Sequence, residues 1–132
     1  MTTSDLPAGG QPDVSAEGAE APFDDVITLS TSTDEDGVVT VTVVGEVDTF
    51  TAPVLRSTLD SQLEQQPKEL VIDLSGVQFL GSAGLAVLVE TQKSSRSREV
   101  PLSLIATTRA VTRPLEVTGL IDLFTIADSS AR

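Results

Sequence analysis

The hydrophobic pattern changes its period twice between residues 38 and 74, and this change constrains the fold more than any other feature. Valines alternate with threonine over residues 39–43, which is typical of a strand with one buried face. Apolar residues then recur every three or four positions over residues 52–63, as in an amphipathic helix. Residues 70–74 are nearly all apolar, which indicates a strand covered on both faces. This order predicts a right-handed crossover between two parallel strands that are neighbours or near neighbours in the sheet.

A β-hairpin is predicted to precede the crossover. A β-rich stretch begins within residues 26–29, and the turn cluster at residues 34–37 ends in Asp-Gly, a pair that favours a tight reversal. The helix of the crossover has clear limits in the sequence. Thr51 is placed to cap it, Pro53 suits its first turn, and Pro67 ends it.

Three further elements are predicted after the crossover. A helix over residues 82–96 is too apolar for a surface helix, so we expect it to pack on the sheet. A strand follows at 102–105, and a last helix at 109–118 contains Pro114, which should kink it or shift its start. Residues 120–126 are apolar enough to lie against the core, without a clear choice between strand and helix. We therefore predict an α/β fold: a mixed sheet of about four strands, an N-terminal hairpin followed by parallel strands, packed with three to four helices.

The N-terminal segment differs sharply in composition from the rest of the chain. Residues 1–25 contain six acidic residues, three prolines and no base, and they supply −6 of the net charge of −12. Such a segment buries too little apolar surface to offset the entropy of ordering it. The sequence therefore predicts an acidic disordered tail at 1–24 and one folded domain at 25–132, with the tail more readily a solvated segment than an interaction arm.

The composition excludes several classes of function. The chain has no Cys and no His, so it can form no disulfide, zinc–thiolate site, cysteine nucleophile or Ser-His-Asp triad. Its net charge of −12 would repel phosphate backbones, so direct nucleic-acid binding is not expected. No stretch is long and apolar enough for a membrane span, and the N-terminus lacks the pattern of a signal peptide. We expect a soluble cytoplasmic protein.

Residues 79–85 join the central strand to the second helix and are predicted to carry the function. Ser82 stands where that strand ends and the helix begins, the edge at which open sheets meet ligands and partners. Position alone favours a simpler role, in which Ser82 caps the helix. The spacing of Gly76, Gly81 and Ser82 is superficially that of a phosphate-binding loop, but the required Lys is missing.

Three carboxylates lie near the ends of the predicted strands. Glu46, Asp48 and Asp73 could in principle form a catalytic cluster, since two carboxylates can do acid–base work. The chain is a poor glycosidase candidate, because it is small and lacks an aromatic platform, and it has no aspartic-protease signature. The simpler interpretation places Glu46 and Asp48 on a solvated loop and makes Asp73 a hydrogen-bond acceptor at a strand end.

Four segments in this order resemble the STAS domain of bacterial anti-sigma factor antagonists. They are Gly45-Glu46-Val47-Asp48, Val71-Ile72-Asp73-Leu74-Ser75, Phe79-Leu80-Gly81-Ser82-Ala83-Gly84-Leu85, and residues 109–120. The resemblance covers about residues 24–128. Each motif is short, but several motifs in the right order and at the right spacing are fairly specific.

The resemblance implies partner switching in transcription regulation and stress response. The unphosphorylated antagonist would bind an anti-sigma factor that is also a serine kinase, and the sigma factor would be released. Phosphorylation of the serine matched by Ser82 would end binding, and a serine phosphatase would reset the switch. The family commonly has Asp before this serine and a hydroxyl residue after it, where this chain has Gly81 and Ala83.

The resemblance also implies which residues bind the partner, with no catalytic residue, metal or cofactor. These residues are Glu46, Asp48, Thr49, Gly81, Ser82, Ala83 and Gly84. The alternative is a STAS-like module in another setting, either in a transporter complex or as a nucleotide sensor. Identification of the bound partner would discriminate between these functions.

Overall fold

The computed structural model describes residues 27–127. The predicted acidic tail at 1–24 lies outside the described residues. Within them, no helix is long and apolar enough to cross a membrane. The elements are β1 (Ile27–Thr33), β2 (Val38–Val47), α1 (Ala52–Glu64), β3 (Glu69–Leu80), α2 (Ser82–Ser97), β4 (Leu102–Ile105), α3 (Arg109–Val117), a 3-10 turn (Ile121–Leu123) and β5 (Thr125–Ala127).

The strands form one five-stranded sheet in the order β1-β2-β3-β4-β5. β1 and β2 are antiparallel, and every later pair is parallel, so the predicted mixed sheet and the predicted β2–α1–β3 crossover are confirmed. The fifth strand is an addition to the four expected. β5 lies within the apolar segment that the sequence left unassigned, and it pairs with β4 through only three residues.

The hairpin turn is held by the Asp34 side chain. Its Oδ1 accepts hydrogen bonds from the N–H of Asp36 at 2.8 Å and the N–H of Val38 at 3.0 Å. Gly37 has φ +88°, a conformation that glycine adopts at little cost. The predicted Asp-Gly reversal is therefore confirmed, and it sets the register in which Ile27 lies opposite Gly45.

The core lies between the sheet and the helices. Val41 and Val43 of β2 are fully buried, as the alternating pattern predicts, and β3 buries successive residues through Ile72, consistent with its central place. Helix α1 directs an apolar stripe at this core. The stripe consists of Ala52, Leu55, Leu59 and Leu63, all at most 5% exposed. Burial of each leucine contributes about 1.5–3 kcal/mol.

One sequence prediction needs correction in this framework, and one of the two alternatives predicted for Pro114 is excluded. β3 continues six residues beyond the predicted end at Leu74, as far as Leu80. Helix α3 begins at Arg109 as predicted and runs through Pro114, so the proline does not shift its start. Pro114 has no N–H to donate, so the Ala110 carbonyl lacks the hydrogen bond that it would otherwise receive within α3.

Candidate functional site

The site lies at the carboxyl ends of the neighbouring strands β2 and β3. Val47 and Leu80 form the last pair of this ladder, and the N–H of Gly81 donates to the Val47 carbonyl at 2.9 Å. Two irregularities precede this point, and at each of them β3 carries one extra residue relative to β2. Bulges of this kind bend a strand and redirect the side chains at its end.

The β2–α1 loop is organised by a reciprocal pair, Asp48 and Thr51. The Asp48 carboxylate accepts from the N–H of Phe50 at 2.9 Å and the N–H of Thr51 at 3.0 Å. The Thr51 hydroxyl, 4% exposed, accepts from the N–H of Asp48 at 2.9 Å and donates to the Glu46 carbonyl at 2.9 Å. These reciprocal side-chain to backbone hydrogen bonds are those of a capping box. The predicted cap by Thr51 is wrong, because its side chain makes no cap bond to α1 and closes the preceding turn instead.

Asp48 and Glu46 consequently differ in role. The Asp48 carboxylate is half-buried and occupied by backbone N–H groups, so the description of Asp48 as a purely solvated loop residue is wrong. Glu46 is exposed, at a position of β2 that pairs with Phe79 of β3. Glu46 is therefore the carboxylate of this pair that is available at the surface.

Ser82 is the first residue of α2 and is exposed. The N-cap position belongs to Gly81, whose carbonyl accepts from the N–H of Leu85 at 3.0 Å. The interpretation of Ser82 as the helix cap is therefore wrong. Within residues 27–127, the structure gives the Ser82 hydroxyl no hydrogen-bond partner. Its oxygen faces solvent at a helix end where unpaired backbone N–H groups favour negative charge.

Gly81 and Gly84, on either side of Ser82, differ in how well their surroundings would accept a side chain. A Cβ at Gly84 would lie 2.6 Å from Cγ1 of Val47 and 2.7 Å from Cδ1 of Leu80, both buried. Gly81 has φ −89° and ψ 179°, extended backbone that any residue adopts. Packing therefore requires glycine at position 84, whereas the backbone conformation at Gly81 does not require it.

A shallow depression of about 240 Å³ gathers most of the predicted partner-binding residues. It is lined by Asp48, Thr49, Phe79, Gly81, Ser82 and Ala83. Glu46 is exposed nearby on β2, and Gly84 lies buried beneath the loop. The two loops that carry these residues are 33 positions apart in the chain, and the parallel pairing of β2 and β3 brings them together.

Sequence reasoning missed two aromatic residues at this surface. Phe79 lines the depression and is 51% exposed, and Phe50 of the adjacent loop is 72% exposed. The available signal was the position of the two rings. Each directly follows a polar residue near the end of a strand, in a chain with only four Phe. Exposed aromatic side chains are strong candidates for interface anchors.

The proposed carboxylate cluster does not form. Asp73 pairs with Thr42 and Ile105, six residues before Phe79 and about 20 Å along the strand from the depression. Its Oδ1 accepts from the N–H of Ser75 at 3.0 Å and the Ser75 hydroxyl at 2.6 Å, so its predicted role as a hydrogen-bond acceptor is confirmed. Its predicted place at a strand end is wrong, because β3 continues to Leu80. Among residues 27–127 no group of three or more acidic residues is placed to hold a metal ion. The supposed phosphate loop from Gly76 is strand as far as Leu80.

Comparison with known proteins identifies this arrangement. The family model of the STAS domain matches residues 30–132. The anti-sigma-F factor antagonist RsfB of Mycobacterium tuberculosis is 35% identical over 100 residues, which cover 76% of this chain and 80% of that protein. Both the family model and this relative include the two loops of the depression.

Solved structures agree with the sequence comparison. The crystal structure of an anti-sigma factor antagonist from Mycobacterium paratuberculosis has a TM-score of 0.71 and 36% identity, covering 85% of this chain and 92% of that one. The Bacillus cell fate determinant SpoIIAA, in its phosphorylated form, has a TM-score of 0.61 at 13% identity, covers 77% and 93% of the two chains, and shares the fold. The chain therefore belongs to the STAS domain family, among the anti-sigma factor antagonists.

Proposed function

We propose that this antagonist works as a phosphorylation switch at Ser82. Its unphosphorylated form binds an anti-sigma factor that is a serine kinase, and the sigma factor is freed. Phosphorylation of Ser82 by that kinase ends binding, and a serine phosphatase restores it. The observation that carries the proposal is the exposed Ser82 hydroxyl at the first position of α2, in a depression shared with the β2–α1 loop.

The fold should accept a phosphate at this position. Ser82 is exposed, and its hydroxyl takes part in no hydrogen bond that the phosphate would break within residues 27–127. The N–H groups of the first turn of α2 lack intrahelical partners and favour an anion by roughly 0.3–1 kcal/mol. Phosphorylation therefore changes the surface and leaves the core of the domain unchanged.

The interface should not accept the phosphate. A phosphoserine adds about −1.5 to −2 charge at pH 7. Here it would lie in the same depression as Asp48 and near the exposed Glu46. Burying a dianion beside carboxylates costs several kcal/mol, and about 4 kcal/mol weakens binding a thousandfold.

The partner surface is expected to be basic and partly apolar. Glu46 offers an exposed carboxylate, and Thr49 is exposed on the adjoining loop. Phe50 of the same loop and Phe79 near the end of β3 offer exposed aromatic faces. A partner with basic groups opposite Glu46 and an apolar contact for the rings would complement this surface.

We further propose that the domain supplies no catalyst and acts in the cytoplasm, where anti-sigma and sigma factors meet. The names of its relatives describe antagonists of anti-sigma factors, which act by binding. The phosphoryl group would be transferred by the kinase from ATP to the Ser82 hydroxyl, so this chain is the substrate. No metal or cofactor of its own enters the proposal.

The proposal is tested by phosphorylation and binding assays with purified anti-sigma factors of the source organism. Incubation with the kinase and ATP should add one phosphate, which peptide mass spectrometry should place on Ser82. Ser82→Ala should bind the anti-sigma factor without being released by ATP. Ser82→Glu should bind poorly while its circular dichroism spectrum remains that of the wild type.

A matched control uses Ser97, an exposed serine in the last turn of the same helix. Ser97→Glu adds the same charge far from the depression and should bind as the wild type does. Phosphate on another serine, or tight binding by Ser82→Glu, would contradict the switch. Capture of transporter subunits in place of an anti-sigma factor would support the alternative function.

A further inference from the structure

A second depression begins at Ser82 and runs along the outer face of α2. It encloses about 470 Å³ and is mostly apolar along its length. Its lining residues are Ser82, Leu85, Ala86, Val89, Glu90, Lys93 and Leu120. We call this surface the α2 groove. Ser82 also lines the depression beside the β2–α1 loop, so the two surfaces meet at this residue.

The α2 groove follows the helix, and its chemical character changes along its length. Positions 82, 85, 86, 89 and 93 fall on one stripe of α2, and the stripe spans about 16 Å at 1.5 Å per residue. Leu85, Ala86 and Val89 form its apolar middle. This apolar middle spans about one helical turn, so an occupant that follows the stripe needs apolar side chains opposite that turn.

The far end of the groove carries Lys93, which forms no ion pair in the described part of the chain although Glu90 also lines the groove. Glu90 is paired with Arg56 of α1 at 2.9 Å, whereas the Lys93 ammonium has no ion pair within residues 27–127. Lys93 is exposed. This end of the groove complements a carboxylate on the occupant.

We propose that the α2 groove binds an amphipathic helical segment of the anti-sigma factor, with apolar side chains on Leu85, Ala86 and Val89 and a carboxylate at Lys93. This proposal rests on the proposed function. A partner seated on Ser82 already covers one end of the groove, because Ser82 belongs to both surfaces. The net charge of −12 disfavours a second copy of this chain as the occupant.

The proposal gives Ser82 a second consequence. A phosphate there stands at the entrance of an apolar groove as well as beside the acidic loop. One phosphate would therefore weaken two contacts with the same partner. Neither contact needs a conformational change in the domain.

Two pairs of matched variants test the groove by titration of the anti-sigma factor that binds the wild type. Lys93→Glu reverses the charge at the far end of the groove and should weaken binding at least tenfold. Lys68→Glu is the same substitution at an exposed position just before β3, at the opposite edge of the sheet from Ser82, and should change affinity less than threefold. Ala86→Arg fills the groove and should weaken binding at least tenfold, whereas Ser61→Arg on the exposed face of α1 should not.

The outcomes separate this proposal from the proposed function. If the wild type binds no anti-sigma factor, the proposed function fails and the groove has no such occupant. If the wild type binds and Ser82→Glu does not, while Lys93→Glu and Ala86→Arg bind like their controls, the groove proposal alone is overturned. Sedimentation that shows a dimer of this chain, dissociated by Ala86→Arg, would also overturn it.

Discussion

Gly84 of α2 lies so close to Val47 of β2 that a Cβ at residue 84 would stand 2.6 Å from the Val47 Cγ1. This contact joins the first turn of α2 to the last pair of the β2–β3 ladder. It holds Ser82, two positions earlier, at the edge where both loops of the depression meet. The site is thus positioned by packing beneath it, and the glycine permits that packing.

Gly84→Ala should destabilise the protein although alanine is the better helix former. The new methyl would meet buried Val47 and Leu80, and overpacking of this kind costs about 1–3 kcal/mol. The gain in helix propensity offsets about 1 kcal/mol. We expect a net loss of up to about 2 kcal/mol in the free energy of unfolding, measured by urea titration.

The control for this substitution is Gly81→Ala, three residues earlier. Its backbone is extended, and the nearest atoms to a new Cβ belong to the half-exposed Phe79 ring, with the Cε2 at 3.0 Å. The ring is free to turn toward solvent, so the cost should be about 0.5 kcal/mol, mainly from the weaker N-cap. Equal losses for both variants would show that Gly84 is not held by packing.

Gly81→Asp should fold as well as the wild type or better. Residue 81 is the N-cap of α2, and an aspartate there can accept from the free N–H groups of the first turn. We expect a gain of a few tenths of a kcal/mol in stability and phosphorylation of Ser82 that is unchanged or faster. Thermal denaturation and a kinase assay measure these two effects. A misfolded variant would contradict the assignment of Gly81 as an unconstrained cap.

The long elements of this fold were predictable because each carries a strong hydrophobic period. The spacing of Leu55, Leu59 and Leu63 predicts α1, and the apolar run through Ile72 predicts the central strand. β5 was not predictable, since three residues are too few to show a period and only pairing with β4 makes them a strand. The later half of β3 was missed because two bulges and the polar residues around Gly76 break its alternation.

The candidate site was predictable in its residues but less so in their roles. Ser82 and the acidic loop were found through the motifs, and the parallel pairing of β2 and β3 brings them together. A shift of one residue in the start of α2 decides whether Ser82 caps the helix or exposes its hydroxyl. A helix end cannot be located to within one residue from sequence. The function of the Asp48 carboxylate depends on the turn geometry, which spacing alone does not specify.

Asp48→Ala should cost stability, whereas Asp48→Asn should not. The Asp48 carboxylate accepts two backbone N–H groups in the loop before α1, and alanine leaves both without that acceptor. We expect a loss of about 1–2 kcal/mol for alanine, as for other cap residues, and a change below about 0.5 kcal/mol for asparagine, which keeps the accepting oxygen. Urea titration of the two variants measures the difference. Similar losses would mean that the charge, and not the acceptor, stabilises the loop.

Glu46→Gln should affect binding without affecting stability. Glu46 is exposed, and its side chain makes no hydrogen bond or ion pair within residues 27–127. A charge at the rim of an interface acts mainly on the association rate. We expect the association rate with the anti-sigma factor to fall several-fold at low salt and the difference to shrink at high salt. A changed melting temperature would contradict this division between Glu46 and Asp48.

Deletion of residues 1–24 should leave the melting temperature and the partner affinity nearly unchanged. Ile27 lies opposite Gly45, which is next to Glu46. The chain therefore enters the domain at the edge that carries the site, so the deletion is a demanding test. The composition of the tail nevertheless gives it too little apolar surface to pack stably on the domain. Affinity for the anti-sigma factor, measured by titration at physiological salt, should change less than tenfold, or roughly 1.4 kcal/mol. A larger loss on deletion would establish the tail as a binding arm, and the matched control is a tail of the same length whose five acidic residues are replaced by Gln and Asn.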